Sequence, residues 1–194
     1  MHSTCRLARV IVVRPVVHEL PDGARVRLRF IAPSDRALLA DGLARLSPQS
    51  RRQPFLVPKS SLSDAELSYL TEVDGRDRVA IVAVLEDEPS QLAAVARFVR
   101  DPQRPDKAEA AITVADTLQG MGLGRTIGVA LADIAKATGI RRFTASLLGT
   151  NLAAHRLFRA ISRRAQTQYA GGLAALVVEL ETREHPIVPA ALAA

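Results

Sequence analysis

The sequence predicts an α/β (α+β) fold, with a central mixed, mostly antiparallel sheet of six to seven strands flanked by helices. Three observations carry this. Val79–Val84, Leu92–Val99 and Ala108–Val114 are apolar runs joined by short polar turns, the mark of an antiparallel meander. The third run leads through a glycine-rich loop and an amphipathic helix to another strand, Phe143–Leu148, and a strand regained through a helix lies parallel to its predecessor. Near the end, Gly171-Gly172 separates Arg164–Ala170 from Leu173–Leu180, a hairpin signal.

Each element follows from local chemistry. Residues 1–23 read as an N-terminal extension in which Val10–Val13 is a candidate edge strand, ended by Pro15. Pro21-Asp22-Gly23 is a turn. Arg25–Phe30 then alternates strictly, with Val26, Leu28 and Phe30 on one face and three arginines on the other, which predicts a half-buried strand. Pro33-Ser34-Asp35 opens a helix to about Arg45, with Ser34 as its N-cap and Leu38, Leu39, Gly42, Leu43 and Leu46 along the inner stripe. Ser47-Pro48 starts a short helical piece through Arg52, Gln53–Ser61 is loop-like, and Ser63-Asp64-Ala65-Glu66 is a capping box ahead of another short helix. After the meander, Leu123–Ala137 sets Leu123, Ile127, Leu131 and Ile134 on one face, with Gly139 just past its end. Asn151 begins a last helix whose inner face holds Ala154, Leu157, Phe158 and Ile161. One folded domain is expected over residues 24–181, followed by a mobile tail over 182–194.

Composition narrows the function classes. With 48% hydrophobic and 24% charged residues, the chain is expected to be soluble and globular. The net charge of +6 favours anionic partners, although a wealth of Arg and Ala also follows from genome composition. Aromatics are scarce and Trp is absent, so stacking on bases, and a nucleic-acid role with it, is not expected. The single Cys5 excludes an internal disulfide and fits a reducing, cytoplasmic setting. No apolar run approaches the ~20 residues that span a bilayer, and Val10–Val13 is too short for a signal peptide, so no membrane partner is expected. No cluster of His, Cys and carboxylates predicts a metal, and His155 reads as a surface residue.

The chemistry concentrates in Glu109–Leu131. Gln119-Gly120-Met121-Gly122-Leu123-Gly124-Arg125-Thr126 sets three glycines at alternating positions where a helix begins. Glycine lets backbone approach a ligand without a Cβ in the way, and a helix start offers unpartnered N–H groups at the positive end of the dipole. A phosphate-bearing cofactor is therefore expected on this loop. It is neither GxxxxGK[ST] nor GxGxxG, and a dinucleotide site's acidic residue about 20 positions on is missing.

Q-x-x-G-x-G ahead of a hydrophobic helix resembles the acetyl-CoA motif of the GNAT superfamily of N-acetyltransferases. Val114, Gln119, Gly120, Gly122, Leu123, Gly124 and Gly128 fit that motif position by position, and Asn151 with Ala154 follows at the family's spacing. Leu46–Arg51, the LSDAEL stretch from Leu62 and Val95–Pro102 resemble the bacterial protein-lysine acetyltransferase branch. There the domain is often fused to a regulatory or ligase domain; here it is expected to stand alone. The resemblance spans about Ala24 to Glu181. It implies the GNAT fold, splayed between its fourth and fifth strands, with part of the acceptor site built by residues 33–72. It also implies acetyl-CoA-dependent transfer of an acetyl group to a primary amine, a protein lysine ahead of a small-molecule amine. A catalytically silent acyl-CoA-binding module is the reading of another class. The partners implied are acetyl-CoA and an acceptor amine on a protein, with no metal, in a monomer or homodimer.

Roles for residues follow from the same resemblance. Backbone N–H groups of Gly120, Met121, Gly122, Leu123, Gly124, Arg125 and Thr126 take the pyrophosphate, and Gln119 adds a side-chain donor. The pantetheine arm runs beside Ile112, Thr113 and Val114, with the Val114 N–H meeting the thioester carbonyl. Asn151 touches the cofactor and is also a favoured N-cap. Glu109 is expected as general base. It shares a strand face with Ala111 and Thr113, opposite Ile112 and Val114, and a carboxylate buried among alanines needs a reason. The plain alternative is an exposed Glu paired with a neighbouring Arg. Two positions depart from family habits. Phe158 stands where many members carry an acid Tyr, and Ser146 where enzymes acting on ribosomal N-termini often carry Glu. Both weaken a ribosomal-type reading and leave the lysine-acetylating one intact.

Overall fold

A computed structural model describes residues 16–55 and 61–181. Its eight strands form one sheet in the order β1-β2-β3-β4-β5-β6-β8-β7. They are β1 (Val16–Glu19), β2 (Arg25–Phe30), β3 (Arg78–Leu85), β4 (Leu92–Arg100), β5 (Lys107–Val114), β6 (Arg142–Leu148), β7 (Ala165–Ala170) and β8 (Leu173–Glu179). The helices are α1 (Arg36–Arg45), α2 (Pro48–Phe55), α3 (Asp64–Thr71), α4 (Leu123–Ala137) and α5 (Leu152–Ile161). Every neighbouring pair is antiparallel except β5 and β6, which are parallel. The meander, the parallel crossover and the closing hairpin thus stand where their local signals put them.

The strand count exceeds the expected six to seven. The extra strand is β1, which begins just after Pro15 and pairs with β2 from Val16↔Leu28 to Glu19↔Arg25. Four residues are too few to show a period, so the pairing comes from β2 rather than from local pattern. The candidate edge strand Val10–Val13 lies outside the described residues. Two further differences are local. Ser34 does not cap α1: Pro33–Asp35 forms a 3₁₀ turn, and Asp35 accepts from the Ala32 N–H at 2.8 Å. Helix α2 runs on to Phe55, past the expected loop start at Gln53.

The sheet is covered on both faces. On one, α4 and α5 pack against Val79, Ile81, Ala96, Phe98, Ala108 and Phe143, all at most 2% exposed. The Phe98 and Phe143 rings stand 6.0 Å apart. On the other face, α1 and α3 lay Leu39 and Leu67 over Ala80 and Val82. The arginine face of β2 is held by internal ion pairs: Arg25 and Arg27 meet Glu86 at 3.0 and 2.7 Å, and Arg29 meets Asp35 at 2.7 Å.

One interruption positions the site. The β5–β6 ladder runs only from Lys107↔Arg142 to Glu109↔Thr144. Beyond it β5 stays paired with β4 as far as Val114, and β6 stays paired with β8 as far as Leu148. Each strand keeps its outer neighbour while leaving the other, so the sheet opens into a V whose apex is at Glu109.

Candidate active site

The open side of β5 carries backbone groups. Ala115 donates its N–H to Ala93 O at 2.9 Å, towards β4. Successive residues of a strand alternate in this direction. The backbone groups of Ala111 and Thr113 therefore face β4 as well, whereas Ala110, Ile112 and Val114 direct their N–H and C=O towards β6. Ala110 still serves the last register pair, Glu109↔Thr144, but no β6 residue pairs with Ile112 or Val114. At a strand rise of about 3.3 Å per residue, the Ile112 amide is about 10 Å from Glu109 and the Val114 amide about 16 Å.

Beyond the open end of β5 the chain turns through the glycine loop into α4. Gly120 and Gly122 have φ of +81° and +86°, a left-handed conformation that L side chains resist. Gly122 is also the residue from which α4 starts. A Cβ on either would meet nothing within 4 Å, so the loop faces open space and has room for a ligand against its backbone. Inside the helix the reasons differ. A Cβ on Gly128 would come within 2.7 Å of Ile161 Cδ1 and 3.0 Å of Ile112 Cδ1, so this glycine lets α4 settle close on β5 and α5. Leu123 is fully buried and anchors the helix start, while Arg125 is exposed beside it. Thr126 Oγ1 lies 3.3 Å from His18 Nε2 on β1, which brings the edge strand to the first turn of α4.

Gln119 serves the loop from within. Its Nε2 donates to Val114 O at 3.2 Å and to Asp116 Oδ1 at 3.0 Å, with Ser50 Oγ at 3.3 Å. Asp116 in turn accepts from the Ser47 N–H at 2.6 Å and from the Ser50 hydroxyl. Burial alone would raise the Asp116 pKa, but the bonds from Ser50, Ser47 and Gln119 outweigh it and hold the carboxyl below its ordinary value. This knot ties the start of α2 to the β5–α4 loop. Gln119 belongs to the loop motif and both serines to the stretch Leu46–Arg51, but Asp116, which joins them, belongs to neither, so nothing local announces the knot. Asn151 is buried and caps α5, its Oδ1 accepting from the Ala154 N–H at 3.0 Å.

A cavity of about 410 Å³ lies on the sheet face under α1 and α3. Its apolar end is formed by residues such as Leu43, Leu46 and Ala115, its polar end by Tyr69, Arg97 and Glu109. Thr113 and Ala111 lie between, on the face opposite Ile112 and Val114. Glu109 itself is exposed. The expectation of a buried carboxylate is therefore corrected: only the flanking Ala108 and Ala110 point into the core, because Glu109 alternates to the cavity face. No ion pair among the described residues joins Glu109 to an arginine. Phe158 is 2% exposed and sits in the core. His155 is corrected as well. It is 7% exposed, not a surface residue, with its ring 5.8 Å from Tyr169, because it shares the inner stripe of α5 with Phe158 and Ile161. Among the described residues no group of three or more His, Cys, Asp and Glu side chains is arranged to hold a metal ion, and no helix is long and apolar enough to cross a membrane.

The sequence profile described as the acetyltransferase (GNAT) family matches residues 47–161, more than half of the chain. An acetyltransferase of Pseudomonas aeruginosa is 32% identical over 127 residues, covering 65% of this chain and 68% of that protein. The acetyltransferase Pat of Mycolicibacterium smegmatis is 33% identical over 152 residues, covering 78% of this chain but 44% of the relative. Among solved structures, the GNAT domain of S. lividans PAT superimposes with a TM-score of 0.77 at 26% identity, over 86% of this chain and 97% of that one. A cAMP-binding acyltransferase from Mycobacterium smegmatis gives 0.64 at 26% identity, over 93% and 52%. The chain thus spans about half the length of its mycobacterial relatives.

Proposed function

The chain belongs to the acetyltransferase (GNAT) family, whose members use acetyl-CoA, and from that premise we propose that it acetylates a primary amine, a protein lysine first of all. The observation that carries this is the V between β5 and β6, where no strand pairs with the Ile112 and Val114 N–H groups and a left-handed glycine loop follows β5. Such a slot suits a pantetheine arm that hydrogen-bonds like an added strand, with the pyrophosphate on the α4 N-terminus. The lysine reading is supported by the stretches Leu46–Arg51, Leu62–Leu67 and Val95–Pro102, which resemble the lysine-acetylating branch.

In this reading the N–H groups of Gly120 to Arg125 hold the pyrophosphate; the Thr126 N–H is corrected out of the set, because it is already donated to Gly122 O at 3.1 Å as the first bond of α4. Asn151 borders the cofactor. Gln119 shapes the loop through Val114 and Asp116. A β5 amide, Ile112 or Val114, donates to the thioester oxygen as negative charge develops there. Glu109 takes the proton from the incoming ammonium, directly or through water, because only the neutral amine can attack. The new C–N bond forms at the thioester carbon, the C–S bond breaks, and the second proton, which the nitrogen sheds on becoming an amide, passes through water to the thiolate, Phe158 having none to give. The Ile112 amide makes the shorter relay to Glu109. No metal takes part in this scheme.

The test is to incubate the protein with labelled acetyl-CoA and cell-extract proteins and to map the label by mass spectrometry. Label on lysine side chains, dependent on Glu109, is expected. Tight acetyl-CoA binding with no acceptor labelled would favour a silent acyl-CoA-binding module. The 410 Å³ cavity, a volume common for small-molecule sites, favours a small amine as the second reading.

A further inference from the structure

At the polar end of the cavity, Arg97 has no ion-pair partner among the described residues. It projects from β4, opposite Ala111 of β5 and Ala80 of β3, onto the face that α3 covers. Its guanidinium carbon lies 5.0 Å from the centre of the Tyr69 ring. Arg78, on the neighbouring strand, approaches the same ring to 4.2 Å. Arg78 has the Asp74 carboxylate nearby and donates to the Tyr69 carbonyl, while its buried Nε finds no partner among the described residues. Burial holds the Arg97 guanidinium below its usual pKa, and the charge of Arg78 adds to this, while Tyr69 and Glu109 act the other way. Two guanidinium groups sharing one aromatic ring at the wall of a cavity make an environment that an anion would relieve.

The anion's place is narrow. Glu109 pairs with Val99, two positions along β4 from Arg97, so the two side chains are diagonal cross-strand neighbours about 7–8 Å apart at their origins. One is an anion suited to an ammonium and the other a cation suited to a carboxylate. The other carboxylate on the cavity wall, Glu66, is tied back to the Ser63 N–H at 2.9 Å and to its hydroxyl at 3.0 Å.

We propose that Arg97 is an acceptor-specificity residue: it binds a carboxylate carried by the acceptor a few bonds from the amine that Glu109 receives. The acceptor is thus an amine and an acid together, with apolar substance between or beside them to lie along the leucines of α1. The inference rests on Glu109 marking the acceptor end of the cavity. The same chemistry has two sources, a free amino acid or a lysine flanked by an acidic residue in a peptide.

The experiment compares matched pairs on the full chain loaded with CoA. One pair is free leucine and its carboxamide; the other is a short lysine peptide with a neighbouring Asp and the same peptide with Asn. Binding is read by calorimetry in the wild type, Arg97→Gln and Arg97→Lys, with melting temperature and CoA affinity as folding controls. A charge-assisted bond should favour the acid member of at least one pair by roughly 10- to 100-fold. Arg97→Gln should erase that preference and Arg97→Lys should keep part of it. The pair that shows the preference names the source. Equal binding of both members of both pairs to the wild type, or a preference that survives in Arg97→Gln, would overturn the proposal and leave Arg97 as packing for Tyr69. Because binding is read without turnover, failure of the acetyl-transfer reading would show separately, as absence of acetylated product from a pair that binds.

Discussion

Gly122 offers a way to separate backbone conformation from charge at the cofactor loop. In Gly122→Ala the new methyl group meets nothing within 4 Å, so its cost is that of holding an L residue at φ +86°, about 1–2 kcal/mol. At about 2–4 °C per kcal/mol for a domain of this size, the melting temperature falls by several degrees and the fold survives. Gly122→Asp has a similar backbone cost, or less, since Asp tolerates this region better than most residues. It adds one negative charge over the loop. A carboxylate about 6 Å from a phosphate charge, at an effective dielectric of about 20–80, is repelled by about 0.7–3 kcal/mol. Acetyl-CoA should therefore bind Gly122→Asp roughly 3- to 100-fold more weakly than Gly122→Ala, and the gap should shrink with added salt. Calorimetry on the two folded variants, at two salt concentrations, measures both effects. Equal affinities for Ala and Asp would refute the phosphate seat, whatever each variant did to stability.

Three further outcomes are expected. Glu109→Gln keeps the shape but cannot accept a proton, so turnover on a verified acceptor should fall about 10²–10⁴-fold with acetyl-CoA affinity nearly unchanged; wild-type turnover in this variant would make Glu109 a bystander. Asn151→Ala removes the bond to the Ala154 N–H and should cost about 1 kcal/mol in denaturant unfolding; unchanged acetyl-CoA affinity in that variant would remove Asn151 from the site. The Asp116 carboxyl titrates below its ordinary value in the folded chain, so its contribution to stability is present above about pH 3.9 and is lost as pH falls through the lowered folded value. Asp116→Asn should therefore lose less stability than the wild type between pH 5 and about pH 2–3; parallel acid-unfolding curves would show that the knot with Ser47, Ser50 and Gln119 does not matter to folding.

Much of this protein was legible from local chemistry. The capping box at Ser63 and Glu66, the Asn151 cap, the glycine past α4 and the closing hairpin each rest on interactions within a few residues, so residue type and spacing sufficed. The same holds for the glycine loop, where left-handed φ at Gly120 and Gly122 is a requirement of the chain's own turn. Tertiary structure decided the rest. Strand β1 exists because β2 has a free edge to pair with, not because four residues demand it. Alternation put Glu109 on the face of Ala111 and Thr113, but that this face opens on a cavity was decided by how α1 and α3 pack over the sheet. The knot at Asp116 and the meeting of Arg97 with Arg78 and Tyr69 join groups far apart in sequence. Such contacts depend on sheet register and helix placement, which the whole core sets at once, and no local window contains them.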